Sequence, residues 1–175
     1  MTLIRMTGSR ARALLLPALY VWMLLFGAVR AAAGDASDAA DLDRVFQRST
    51  LQIATPDARL HSFKIWIADD EQRRARGLMF VKHLGAEDGM LFVYPQPQPI
   101  SMWMKNTYVS LDMLFVAADG KVARVVENTK PMSLATIESG SPVLGVVELP
   151  AGSAARLKIA AGAQVIHPAF SASKP

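Results

Sequence analysis

From Thr50 onward, apolar residues recur at every second position in short segments, and turn-forming residues close each segment. Leu51 and Ile53 alternate with polar neighbours, a turn follows at Thr55-Pro56-Asp57, and Phe63, Ile65 and Ile67 resume the same period. A period of two puts successive side chains on opposite faces of an extended chain, so this region reads as strands and begins as a hairpin. Further strands are predicted over residues 90–94, 100–105, 111–117, 121–127, 143–149 and 164–167, with Asp119-Gly120 as the clearest hairpin turn. Pro95, Pro97 and Pro99 cannot donate to a ladder, so residues 95–99 read as a loop. The polar stretch 128–141, with Pro131, reads as a long surface connection.

Helical signals are few. Asp69 and Asp70 precede a run of helix formers whose acids come first and whose arginines come last, as the helix dipole prefers. This predicts one main helix over about 70–79, with Gly77 near its end and Arg73 and Arg74 facing water. A short C-terminal helix, about 153–159, follows Pro150-Ala151-Gly152.

The N-terminus has a separate character. Arg5, Arg10 and Arg12 precede an uncharged run over residues 13–29, and Ala31-Ala32-Ala33 supplies small residues where a signal peptidase reads. Residues 1–33 are therefore expected to be a signal peptide and the mature chain to be periplasmic or secreted. An uncleaved membrane anchor is the alternative, since that run is near the shortest length that spans a bilayer. Residues 34–49 read as a polar lead-in, 50–168 as a single domain and 169–175 as a disordered tail.

Charge and cysteine content narrow the possibilities. Four of the 19 basic residues and none of the 15 acidic ones precede Gly34, leaving 15 against 15 beyond it. The basic excess thus belongs to the targeting segment, and no nucleic-acid partner is expected. With no cysteine, the domain has no disulfide, and thiol chemistry is excluded. No phosphate-cradling glycine motif is present, and no histidine stands in a nucleophile-elbow pattern.

The candidate site centres on residues 101–112, where charge interrupts a run otherwise fit for burial. Ser101, Trp103 and Lys105 should share one strand face, and Met102, Met104 and Asn106 the other. One reading pairs Lys105 with Asp112 or Glu148, and Arg76 with the remaining acid, as an ion-pair network that fixes strand register. The other makes Arg76, Trp103, Lys105, Asn106, Asp112 and Glu148 the lining of a cleft for a small polar ligand or an envelope component. A hydrolase using Asp112 and Glu148 on a small polar or carbohydrate substrate is a further alternative. The cluster of Met79, Met90, Met102, Met104 and Met113 raises Cu(I) binding, although core packing explains it more simply. No catalytic residue, cofactor or metal site is assigned.

Six short motifs occur in order: Arg76-Gly77-Leu78-Met79, Gly89-Met90-Leu91-Phe92, Trp103-Met104-Lys105-Asn106-Thr107, Leu111-Asp112, Asp119-Gly120-Lys121-Val122 and Glu148-Leu149-Pro150-Ala151-Gly152. Together they resemble the domain-of-unknown-function 192 family over roughly residues 51–168. That resemblance implies a compact, mostly antiparallel β domain with one main helix, often behind a signal peptide or lipid anchor, and carries no established activity. The expected fold is α+β: a mostly antiparallel sheet curved into a partial barrel, with the helix packed against it.

Overall fold

The computed structural model describes residues 38–171. The expected signal peptide, residues 1–33, lies outside the described residues. Residues 38–43 are helical (α1), and the described chain continues through β1 (Gln47–Ala54), β2 (Leu60–Ala68), α2 (Glu71–Arg76), β3 (Asp88–Gln98), β4 (Ser101–Met102), β5 (Leu111–Val116) and β6 (Val122–Val126). It ends with β7 (Ile137–Glu138), β8 (Val143–Pro150), α3 (Ser153–Leu157), β9 (Gln164–Ile166) and a 3-10 turn, Pro168–Phe170.

Seven strands form one sheet in the order β6-β5-β8-β3-β2-β1-β9. Its two edges nearly meet: Lys121 bridges Gln164, and the Val122 and Val165 amides donate to the Ala163 and Gly120 carbonyls at 2.9 and 2.8 Å. The sheet is therefore nearly closed into a barrel, as expected. All named strand pairs are antiparallel except β2 with β3. Parallel neighbours need a crossover, and this one carries α2 and residues 77–87 across the sheet's outer face.

The central strands are covered on both faces. In β5, Leu111, Met113 and Phe115 join an outer cluster with Met90, Phe92 and Val146, while Leu114 and Val116 join the barrel interior with Leu51, Ile65, Leu91 and Val147. Double coverage explains why these strands are almost wholly apolar rather than alternating.

Four differences from the sequence reading have clear causes. The helix expected over 70–79 is only Glu71–Arg76 (α2), because Gly77 ends it at φ 45°, and a Cβ there would meet Phe92 Cζ at 3.1 Å. The acidic lead-in folds: α1 buries Leu42, and Asp38 accepts the Lys82 and His83 amides at 2.8 and 2.7 Å. Residues 95–98, expected as a loop, stay extended within β3; Pro95 and Pro97 fall where the register against β8 shifts between Val93 and Gln98, so their missing donors disrupt no pair. At the other end, Phe170, expected in a disordered tail, is buried in the barrel interior.

Candidate functional site

The α2 crossover, the strap after β4 and the outer face of β8 meet around one pocket of about 110 Å³. Its floor is Glu148. On β8 this residue stands opposite Met90 of β3 and Met113 of β5, and only 4% of it is exposed. The neighbouring strand can approach so closely because of Gly89, where a Cβ would lie 2.7 Å from the Glu148 carbonyl oxygen. No side chain or amide among the described residues bonds the Glu148 carboxyl. Burial without compensation favours the neutral form and pushes its pKa up to about 8.

The pocket mouth is cationic and aromatic. Asp70 caps α2 by accepting the Arg73 amide at 2.7 Å, and the six-residue helix then presents Arg74 and Arg76 toward the sheet. Arg74 Nη1 donates to the Asp69 and Val93 carbonyls, each at 2.8 Å, and the guanidinium lies 5.1 Å from the Tyr94 ring centroid. Arg74 was expected to face water; the crossover instead folds it onto β3. Arg76 Nη1 donates to the Gly77 and Met79 carbonyls, and its guanidinium lies 5.2 Å from the Phe80 ring. Burial lowers the Arg76 pKa, yet a guanidinium stays charged.

The strap keeps the predicted alternation although only Ser101 and Met102 are in a strand. Met102 and Met104 are buried, and Trp103 and Lys105 point outward, with Lys105 Nζ 5.1 Å from the Trp103 ring centroid. Trp103 is 48% exposed and forms a wall of the pocket. Asn106 turns the chain at φ 55°, and its carbonyl accepts the Phe80 amide at 2.8 Å, latching the strap to the crossover. Tyr94 closes another side: its hydroxyl donates to Met102 Sδ at 3.8 Å, and burial raises its pKa.

Of the six residues expected to line a cleft, Arg76, Trp103, Lys105 and Glu148 share this pocket. Asn106 braces it from behind. Asp112 does not belong to it: the strand register pairs Asp112 with Leu149 and Met113 with Glu148, so the two acids project from opposite faces of the sheet. Asp112 is fully buried, and its two oxygens accept the Asn128 and Ala154 amides at 2.9 and 2.8 Å. It thereby caps α3, whose own N-cap, Gly152, has no side chain to do so.

That placement corrects two expectations. Lys105 and Arg76 form no ion pair with either acid among the described residues, so the register-fixing network is absent there. A hydrolase that works with Asp112 and Glu148 across one groove is ruled out by their opposite faces and by Asp112's commitment to two amides. The methionines also have packing roles: Met90, Met104 and Met113 are core residues, and Met104 Sδ accepts from Thr129 Oγ1 at 3.2 Å. Among the described residues no group of three or more His, Asp or Glu side chains is gathered as for a metal ion.

Sequence reasoning missed Arg74 and Tyr94. Tyr94 carried a usable signal, since Met90, Phe92 and Tyr94 share a strand face and the face ends in a hydroxyl. Arg74 carried none, because its direction depends on where the crossover lands.

The fold and pocket define a small, nearly closed β-barrel with a ligand-sized recess on its outer face. The family described as DUF192, an uncharacterized ACR, matches residues 52–167, and the chain belongs to that family. No curated protein is a significant match. Two crystal structures are similar. One, from Sinorhizobium meliloti 1021, is described as a candidate transcription regulator; it is 38% identical with a TM-score of 0.68, over 69% of this chain and 94% of that one. The other, a protein of unknown function from Novosphingobium aromaticivorans DSM 12444, is 33% identical with a TM-score of 0.67, over 70% of this chain and 86% of that one.

Proposed function

We propose that this protein is an exported binding module whose outer-face pocket takes a small polar ligand. The observation that carries this reading is Glu148: a buried carboxyl with no bonding partner among the described residues, at the floor of a recess, costs stability unless something else uses it. Three cations and three aromatic rings around the same recess supply convergent polar groups and apolar walls. The transcription-regulator description belongs to the S. meliloti relative. Balanced charge beyond residue 33 supports a small-molecule partner here instead.

A thermal-shift screen of small polar compounds on the purified protein tests the binding reading. At least one compound should raise the melting temperature, and Trp103→Ala should abolish that rise while folding normally, since Trp103 is half exposed. A screen in which no compound shifts the parent defeats the proposal. Export rests on the basic start, apolar run and Ala31-Ala32-Ala33. N-terminal sequencing of extracytoplasmic material should begin at or within a few residues of Gly34; a start at Met1 or Thr2 would replace cleavage by a retained membrane anchor.

A further inference from the structure

Resting on that pocket reading, we propose that the ligand is a small organic monocarboxylate, its anionic end held between the Arg76 and Lys105 side chains and the Glu148 carboxyl. The donor inventory carries the argument. Arg74, like Arg76, spends only Nη1 on two carbonyls, so it keeps further N–H groups and adds positive potential. Arg76 uses only Nη1 on the Gly77 and Met79 carbonyls, which leaves further N–H groups of its planar fork for an anion. Lys105 has no acid partner among the described residues and rests over Trp103 at the mouth.

The groups that face Glu148 are Arg74 and Arg76 from α2, Tyr94 from β3 and Lys105 from the strap, so no second carboxylate opposes an incoming anion. A carboxyl can meet a carboxylate when one proton lies between them. Burial of Glu148 supplies that proton at neutral pH, and the floor then offers a single O–H donor. One donor at the floor beside apolar Leu78, Phe92 and Met102 suits an alkyl-bearing carboxylate better than a phosphate, which needs donors on every side. About 110 Å³ restricts the enclosed part to a few carbon atoms, given roughly 30 Å³ for a water in the liquid. A small ammonium would meet three cations on entry.

Calorimetric and NMR titrations of the purified protein with propionate, lactate, propionamide, propylammonium and inorganic phosphate test this assignment. Propionate or lactate should bind, and propionamide should be weaker by about tenfold or more, reflecting the lost charge. Carboxylate affinity should stay level from pH 6 to 7.5 and fall by about tenfold per unit well above pH 8, where binding must take up a proton. Glu148→Gln keeps an N–H donor and should bind carboxylate without that fall. Lys105→Met, at an exposed position that folding does not need, should weaken carboxylate binding and leave propionamide unchanged. Equal binding of propionate and propionamide, a pH-independent parent, or preference for propylammonium or phosphate overturns the assignment. If none of the five binds but a neutral polyol does, the carboxylate assignment falls and the pocket reading stands. If nothing binds there in this set or in the wider screen, both fall.

Discussion

At the scale of single residues, Glu148 sets the largest expected response to pH. The unfolded chain loses the Glu148 proton near 4.5, whereas the folded chain keeps it until about 8. Between those values the native state binds more protons, so this group makes stability fall as pH rises from 4.5 to 8 and level off above. The full fall is on the order of 5 kcal/mol, since each pKa unit is worth about 1.4 kcal/mol. His167 acts in the opposite sense: burial lowers its pKa, so it costs stability as pH drops through the ordinary histidine range. Its Nδ1 accepts the Ala169 amide at 3.1 Å, which leaves the proton on Nε2 to reach Ser49 Oγ at 3.1 Å. Comparing Glu148→Gln with the parent cancels the histidine contribution. In urea titrations the variant should match the parent near pH 4.5 and exceed it increasingly toward pH 8. An equal or lower stability for the variant at pH 8 would mean that the carboxylate finds a stabilising partner in solution.

Among the elements, β1, β2, β5, β6 and β8 were legible because period two or a continuous apolar run announces a strand whatever it packs against. The Asp119-Gly120 turn was equally plain, with Gly120 at φ 82°. What could not be read was which strands become neighbours. Alternation separates Leu111 and Met113 from Asp112, and Val147 and Leu149 from Glu148, but only the register of β5 against β8 shows that the two acids occupy opposite faces. Helix α1 stayed hidden because its Ala- and Asp-rich sequence has low apolar periodicity, and its place comes from Leu42 and Phe46 docking on the outer cluster. The two acids therefore differ in how they should respond to mutation. Asp112→Ala strips acceptors from the Asn128 amide and the buried Ala154 amide and should cost about 2 to 5 kcal/mol by chemical denaturation. Lys105→Met should change stability by under about 1 kcal/mol, because an exposed lysine on an aromatic face contributes little. A loss as large as that of Asp112→Ala would restore the architectural reading of Lys105.

For the whole molecule, the structural question is what keeps an open seven-stranded sheet from behaving as one. Its two edges, β6 and β9, are joined by the Lys121–Gln164 bridge, by the amides of Val122 and Val165, and by Gln164 Nε2 on the Asp119 carbonyl at 2.8 Å. Strand β9 has only three residues, so this seam is short, and side-chain burial must hold it shut. Phe170 does so from just beyond β9, with its ring against Gly145 of β8, where a Cβ would come within 2.9 Å of Cζ. The seam lies on the interior side of the sheet, and the Glu148 pocket lies on the outer side with the other apolar cluster. Phe170→Ala should therefore cost about 3 to 5 kcal/mol, as truncation of a buried phenylalanine does. Sub-global opening should begin at the seam, so the Val122 and Val165 amides should gain exchange rate before those of Leu114 and Val147 in the central strands. Carboxylate binding below the melting temperature should persist, because Leu78, Phe92 and Met102 of the pocket pack in the outer cluster and Val122, Val165 and Phe170 in the interior one. Uniform acceleration of all four amides would show that the barrel opens only as one unit, and that the outer pocket depends on closure on the far side of the sheet.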